Sequence, residues 1–505
     1  STNGADYVIP TDPNNATLFR TLPTNLVTSG AGRLVLTSAN TFQGATTIGQ
    51  GELVLRDGGK ALNTSALTVS AGAKLTLDNS VQNITNRLSD SNAITLGGGS
   101  LNFVGNASGS SEDIGPVTLA SGESTIRSTT TAGGSMLVTS DNLNRSAGAF
   151  VDFVGVNSDL GTSANQIRFS PGVGDNVILA YGQVVGGAGA ALAVHTTAAG
   201  VKPISATSLA GYKSSLAEVT SPTDIVRLTK SETINSAITV AALEINGDDI
   251  TISGSGSITI DNGAGNAVQV MAGAYPSTAT ISVPVVLKGP TTGENNVEVD
   301  DGTTLVLAGG VTVFNAGSQL HKHGGGTLRL TGTNSIPATS SVQVFSGLMS
   351  VESNGALGGA GAAVVVASGA TVELSGSVSL SNPLTLNGVG LSATGALLSR
   401  GANSWLGAVT LNSSASVNVI DSQLTLGGAV SGSTLTKFGV GGLVLGGGSA
   451  NSSSVVVLQG GVTLAKTGVD VDAASSLTIG DDIGADDADT VSISSSVAGR
   501  QRIAG

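Results

Sequence analysis

Cysteine is absent from these 505 residues, which excludes a disulfide framework. Aromatic residues make up 3% of the chain and charged residues 11%, the latter well below the roughly 25% of ordinary domains. Basic residues are scarce as well: 21 Lys and Arg stand against 34 Asp and Glu, a net charge of −13. Direct nucleic-acid binding usually needs a basic stripe, so no nucleic-acid partner is expected. The negative charge suits the solubility of an exposed surface. Helical periodicity is nearly missing, and only Asn83–Asp90 and Ser205–Glu218 have room for a helical turn. No basic-plus-apolar leader opens the chain at Ser1, and the sequence reads as a segment of a longer protein. One uncharged window, Asn176–Val194, is long enough for a membrane span, but its four glycines and five alanines argue against one.

What is abundant is glycine, 73 residues, within a chain that is still 40% hydrophobic. That is too apolar for a Gly/Ser linker, so a core of small aliphatic side chains is expected. One phrase recurs, Gly-x-Gly-x-Leu-x-Leu. It appears with Gly30, Gly32, Leu34 and Leu36, again with Gly324, Gly326, Leu328 and Leu330, and again with Gly439, Gly441, Leu443 and Leu445. Apolar-x-apolar triplets are short strands with both outer side chains on one face. One series starts at Leu34, Leu53, Leu75, Leu101 and Ser124, and a second at Thr46, Leu67, Ile94 and Val117. Two interleaved series with one mean period are what a coiled chain leaves in its sequence, each coil giving a strand to each of two or more parallel sheets.

Fine spacing repeats too. Strand starts at 34, 46, 53 and 67 have gaps of 12, 7 and 14; those at 443, 455, 462 and 477 have 12, 7 and 15; those at 328, 342, 349 and 364 have 14, 7 and 15. A glycine precedes the third strand each time, at Gly51, Gly347 and Gly460, where a tight corner needs positive φ. Asn40 and Asn334 follow the first leucine by six residues, whereas the third copy has Ser449; such asparagines suit turns and could form an amide ladder. The fold expected is all-β, a β-solenoid of the parallel β-helix type running through 1–505 as one elongated rod, rather than a sandwich of fewer, longer strands. At about 22 residues per coil and ~4.8 Å per coil it would have roughly 23 coils and a length on the order of 110 Å. The least strand-like stretch, 186–223, is expected as a protruding loop or small subdomain.

The stretch Gly30–Leu55 resembles the autotransporter-associated β-strand repeat, with Phe42 at its Tyr position and Ser38 at a Gly position. Leu435–Gly441 resembles the lead-in of that repeat, and Asn403-Ser404-Trp405-Leu406-Gly407 its recurrent Asn-x-Trp-x-Gly phrase. Arg87–Leu119, Leu384–Leu411 and Leu477–Val491 resemble stretches of large proteins of this kind. The resemblance implies a right-handed β-helix, exported across the outer membrane to the cell surface or medium, serving as stalk, adhesin or fibre. The membrane β-barrel associated with such proteins is not found among these residues.

Each group with chemical potential has a plainer reading beside it. His321-Lys322-His323 is the only histidine cluster. It sits at the repeat's lead-in and is expected as an exposed turn ahead of a strand, not as a metal site. Asp481, Asp482, Asp486, Asp487 and Asp489 form an acidic loop whose spacing fits no standard calcium loop, leaving them weak calcium candidates; Glu294–Asp301 is a similar acidic patch. No cluster of carboxylates with basic partners marks a polysaccharide-active β-helix enzyme, and Gly254-Ser255-Gly256-Ser257 lacks the Asp of a protease nucleophile phrase. Trp405, the only tryptophan, is expected at a structural corner rather than on a sugar-stacking surface. The expected function is a structural, surface-displayed stalk or fibre segment without catalysis or cofactor. The alternative is an adhesin binding a glycan, host protein or other cell-surface ligand through loops projecting from the rod; a polysaccharide-active enzyme comes last. Self-association, end to end or lateral, would suit either of the first two.

Overall fold

The two interleaved series of triplets lie in two parallel sheets of a computed structural model of the chain. It describes residues 7–9, 25–186, 189–205, 211–261, 277–289, 293–468, 470–480, 489–494 and 500–504. Leu34 pairs with Leu53, Leu53 with Leu75, and Leu75 with Leu101. Thr46 pairs with Leu67, Leu67 with Ile94, and Ile94 with Val117. The first series slips once: the partner of Leu101 is Ile126, not Ser124. The chain divides into two compact units, Ser1–Ala210 and Gly211–Gly505. Among the described residues there are about 19 stacked parallel coils, the architecture of a β-solenoid. Coil length varies around the expected mean: Val462 and its register partner Val491 are 491 − 462 = 29 residues apart, whereas Leu443 and Val462 are 462 − 443 = 19 apart.

In the first unit the strands form sheets of ten, six and three members. The third of these, Ser110–Ile114 with Met136–Ser140 and Asn165–Phe169, has no counterpart in either sequence series. Inward positions are Leu, Val, Ile and Phe, so Leu53, Leu75, Leu101, Phe103, Val117 and Phe153 are at most 1% exposed. Alternating outward positions are mostly polar, such as Thr47, Thr68, Thr95, Asn102, Thr118 and Arg127, as period-two strands buried on one face require. Parallel stacking stops at Val177–Gly186. That strand pairs in parallel with Phe150–Val156 but antiparallel with Gly189–Thr196, which pairs antiparallel with Gly200–Pro203. Within 186–223 the described residues thus give those two sheet strands, then Tyr212–Lys213 and a 3-10 turn at Leu216–Glu218 in the second unit.

The second unit contains sheets of 18, six, four, three and two strands. Both later copies of the repeat close their coils in register. Leu328 pairs with Met349 and Val342 with Val364; Leu443 pairs with Val462 and Val455 with Leu477. One continuous, largely aliphatic column, including Leu328, Leu330, Val342, Val364, Leu443 and Leu445, fills the interior at 0–5% exposure. Among the described residues helix is limited to two 3-10 turns, Leu216–Glu218 and Leu391–Ala393. No helix there is long and apolar enough to cross a membrane. Asn83–Asp90 holds no helix and forms a corner around the buried Arg87.

Candidate functional site

The repeat builds the same corner three times. Gly51, Gly347 and Gly460 have φ of +70°, +67° and +77°, a region that side chains with a Cβ rarely adopt. Space excludes a side chain as well. A Cβ on Gly51 would lie 2.4 Å from the Gly30 carbonyl oxygen and 2.1 Å from that of Gly32. On Gly347 it would lie 2.3 and 2.4 Å from those of Gly324 and Gly326. The glycines of the recurring phrase therefore bring their carbonyls against the glycine of the next coil. Gly324 and Gly439 also have positive φ, +77° and +86°; a Cβ on Gly326 would meet the Asp300 carbonyl and one on Gly441 the Val419 side chain. Gly30 faces open space. The leucines of the phrase point inward: Leu36 is 2% exposed, Leu34 is half-buried against the core, and the later pairs are fully buried.

Two residues before each phrase stands a hydrogen-bond donor that closes the corner. Lys322 Nζ donates to the carbonyls of His323, Gly324 and Ser346. Lys437 Nζ donates to those of Gly439 and Gln459. Thr28 Oγ1 donates to Gln50 O at 2.9 Å. The shared acceptor is each time the carbonyl just before the positive-φ glycine. Both lysines are 0% exposed. Burial pushes the Lys437 ammonium down to about 8, with Asp489 opposing the shift. Lys466, also fully buried, is likewise lowered to about 8 by burial.

His321-Lys322-His323 is not an exposed turn. It lies in the strand Gln319–His323 and all three residues are at most 1% exposed. Coil stacking brings neighbours that sequence distance hides. Glu294 Oε2 is 3.8 Å from His321 Nδ1, Asn296 Oδ1 is 3.3 Å from His323 Nε2, and Phe345 stacks on the His323 ring at 4.8 Å. Among the described residues no group of three or more His, Asp or Glu is placed to hold a metal ion. Asp481, Asp482, Asp486 and Asp487 lie outside the described residues; Asp489 starts the strand Asp489–Ile493.

The corner asparagines of the repeat join successive coils through the main chain rather than by bonding to one another. Asn334 Oδ1 accepts from Val311 N at 2.7 Å and its Nδ2 donates to Ala356 O at 2.6 Å. Asn40 donates to the Ser38 and Lys60 carbonyls. The third copy does have its asparagine, two residues beyond Ser449: Asn451 accepts from Val430 N and donates to Ala473 O. Trp405 is 0% exposed and donates Nε1–H to Asn382 O at 2.7 Å, so its indole is a corner brace.

These side chains serve to hold one coil to the next, and the repeat they define can be set beside known families. The passenger-associated transport repeat matches at residues 26–55 and 320–357, which contain the first and second copies of the corner. No curated protein and no solved structure matches the chain. The chain thus carries the passenger-associated transport repeat, a repeat family of autotransporter passenger domains.

Proposed function

We propose that this chain is a structural segment of a surface-displayed passenger, a β-helical stalk or fibre whose work is extension and display. The observation that carries the reading is the use made of its reactive side chains. Lys322, Lys437, Asn334, Asn451 and Trp405 are all spent on main-chain carbonyls and amides of adjoining coils. Outward acids and bases are largely paired between coils, Arg227 with Glu244, Arg329 with Glu352 and Arg400 with Glu373. The test is surface labelling of cells expressing the natural full-length protein, followed by electron microscopy of the labelled material. Extended projections carrying label on intact cells are expected; label appearing only after lysis sinks the reading.

An adhesin is the second reading, favoured by a charge-poor surface. From Gly401 to Gly468 the charged residues are Asp421, Lys437 and Lys466, and both lysines are buried. A face of this kind suits a neutral partner such as a glycan, or a second copy of the chain meeting it laterally or end to end. Retention of a neutral glycan on an array probed with the full chain, lost when Thr425 and Thr463 are changed to lysine, would favour the adhesin over the stalk.

A further inference from the structure

The third sheet of the first unit starts at Ser110–Ile114, and the coil beneath that start is irregular. There the chain makes a single bridge, Ala61 to Leu88, with Ala61 N donating to Arg87 O at 2.8 Å. The N–H groups of Arg87 and Leu88 find no carbonyl of a next strand. Both donate to one carboxylate oxygen, Glu112 Oε1, at 2.7 and 2.9 Å. Glu112 is 1% exposed and pairs in register with Val138, which pairs with Ile167. It therefore occupies a column whose other members are apolar core. Its second oxygen, Oε2, is buried and has no hydrogen-bond partner among the described residues. Beside it the Arg87 side chain is fully buried and donates to Asn79 Oδ1 and to the carbonyls of Gly59, Asp78 and Gln82, at 2.6 to 3.0 Å.

We propose that Glu112 is a proton-operated latch on the corner formed by residues 79–88: protonated, it holds the corner shut, and ionised, it loosens it. A neutral carboxyl suits the apolar column and still accepts both N–H groups through Oε1. An ionised one leaves a buried, unpartnered anionic oxygen, which is costly in the interior. The groups that bear on it are few. Arg87 comes from the corner itself and Asp90 from just beyond it, and Asp78 and Asp57 act on the Arg87 guanidinium. Asp113 on its own strand is exposed, and Met136–Ser140 adds no titratable side chain. Burial raises the Glu112 carboxyl to about 7, against the lowering effect of the Leu88 and Arg87 N–H donors.

The closed corner therefore binds the proton more tightly than the open one, where Glu112 returns to its ordinary 4.5. Closure is fully supported below the ordinary value. That support is lost as the pH climbs to about 7, and opening becomes up to about tenfold easier per pH unit within that window. Hydrogen exchange on the full chain tests this. Protection of the Arg87 and Leu88 amides, corrected for intrinsic exchange, should fall by roughly 40-fold between pH 5 and pH 7. Amides of the neighbouring strand Ile94–Gly97 should keep their protection. In Glu112→Gln the dependence should flatten to within about twofold. Protection that does not change across the window, or that falls equally in the Gln variant, overturns the latch. Carbon-13 titration of the Glu112 carboxyl in the unmodified chain gives a check that needs no variant; a midpoint near the ordinary carboxylate value also overturns it.

Discussion

At the scale of single residues, the corner glycines answer two demands at once, a backbone in the left-handed region and a carbonyl from the previous coil where a Cβ would stand. Gly347→Ala meets both penalties. It should destabilise the second unit by about 3 kcal/mol, read as a lowered urea midpoint, whereas the same change at Gly369, where an added Cβ meets nothing within 4 Å, should cost about 1 kcal/mol from φ alone. Equal losses at the two positions would show that the carbonyl contacts do not matter. Lys437 allows a second prediction. Its folded value of about 8 lies below the ordinary lysine value of 10.5, so the unfolded chain holds that proton more tightly. Stability should rise as the pH climbs from about 8 towards 10.5. Lys466 is lowered to the same value, so Lys437→Met should remove about half of that rise, seen as the difference between the two urea curves at pH 8 and pH 10. A polar residue's place was the hardest thing to read in the sequence. His321, Lys322 and His323 suggested solvent by their polarity, yet a solenoid corner has main-chain carbonyls to satisfy, and a long ammonium reaches them from the interior. The available signal was the recurrence of lysine two residues before the phrase, at 322 and 437, with threonine at 28.

At the scale of strands and turns, the parallel register was visible in advance because a one-residue slip would turn every inward side chain outward. That constraint makes Leu34, Leu53, Leu75 and Leu101 fall at one phase, and the pairing follows them. It is weaker where polar residues replace the aliphatic ones. Ser110–Ile114 carries Glu112 inward, and its sheet was missed for that reason. The antiparallel strands of 189–203 escaped too, since small alanines and glycines carry little periodic signal. Asn451 was hidden by a two-residue insertion that shifts it from the place of Asn40 and Asn334. Its bonds match those of Asn334 one for one, so the two positions should respond alike. Asn334→Ala leaves the Val311 amide and the Ala356 carbonyl without partners in a buried turn, a loss of about 3 kcal/mol. Exchange at the Val311 amide should accelerate, and Asn451→Ala should do the same at Val430. An effect at only one of the two would separate them as devices.

At the scale of the molecule, the stacking makes stability a sum of coil terms and nearest-neighbour contacts. Within the second unit, Asn334 joins the coils of Val311 and Ala356, and Asn451 joins those of Val430 and Ala473. The two sites share no partner. The double variant Asn334→Ala with Asn451→Ala should therefore lose the sum of the single losses to within about 0.5 kcal/mol. Gly347 and Lys322 behave otherwise, because a Cβ on Gly347 would lie 2.7 Å from the Lys322 ammonium nitrogen. Removing the ammonium in Lys322→Met relieves part of the clash created by Gly347→Ala, so the pair should lose less than the sum by more than about 0.5 kcal/mol. Local amide exchange is the suitable measurement, since a stacked array need not unfold in one step. A long-range coupling between positions 334 and 451 as large as that between 322 and 347 would mean that strain travels along the core. The unit would then behave as one cooperative body rather than as a stack of neighbours.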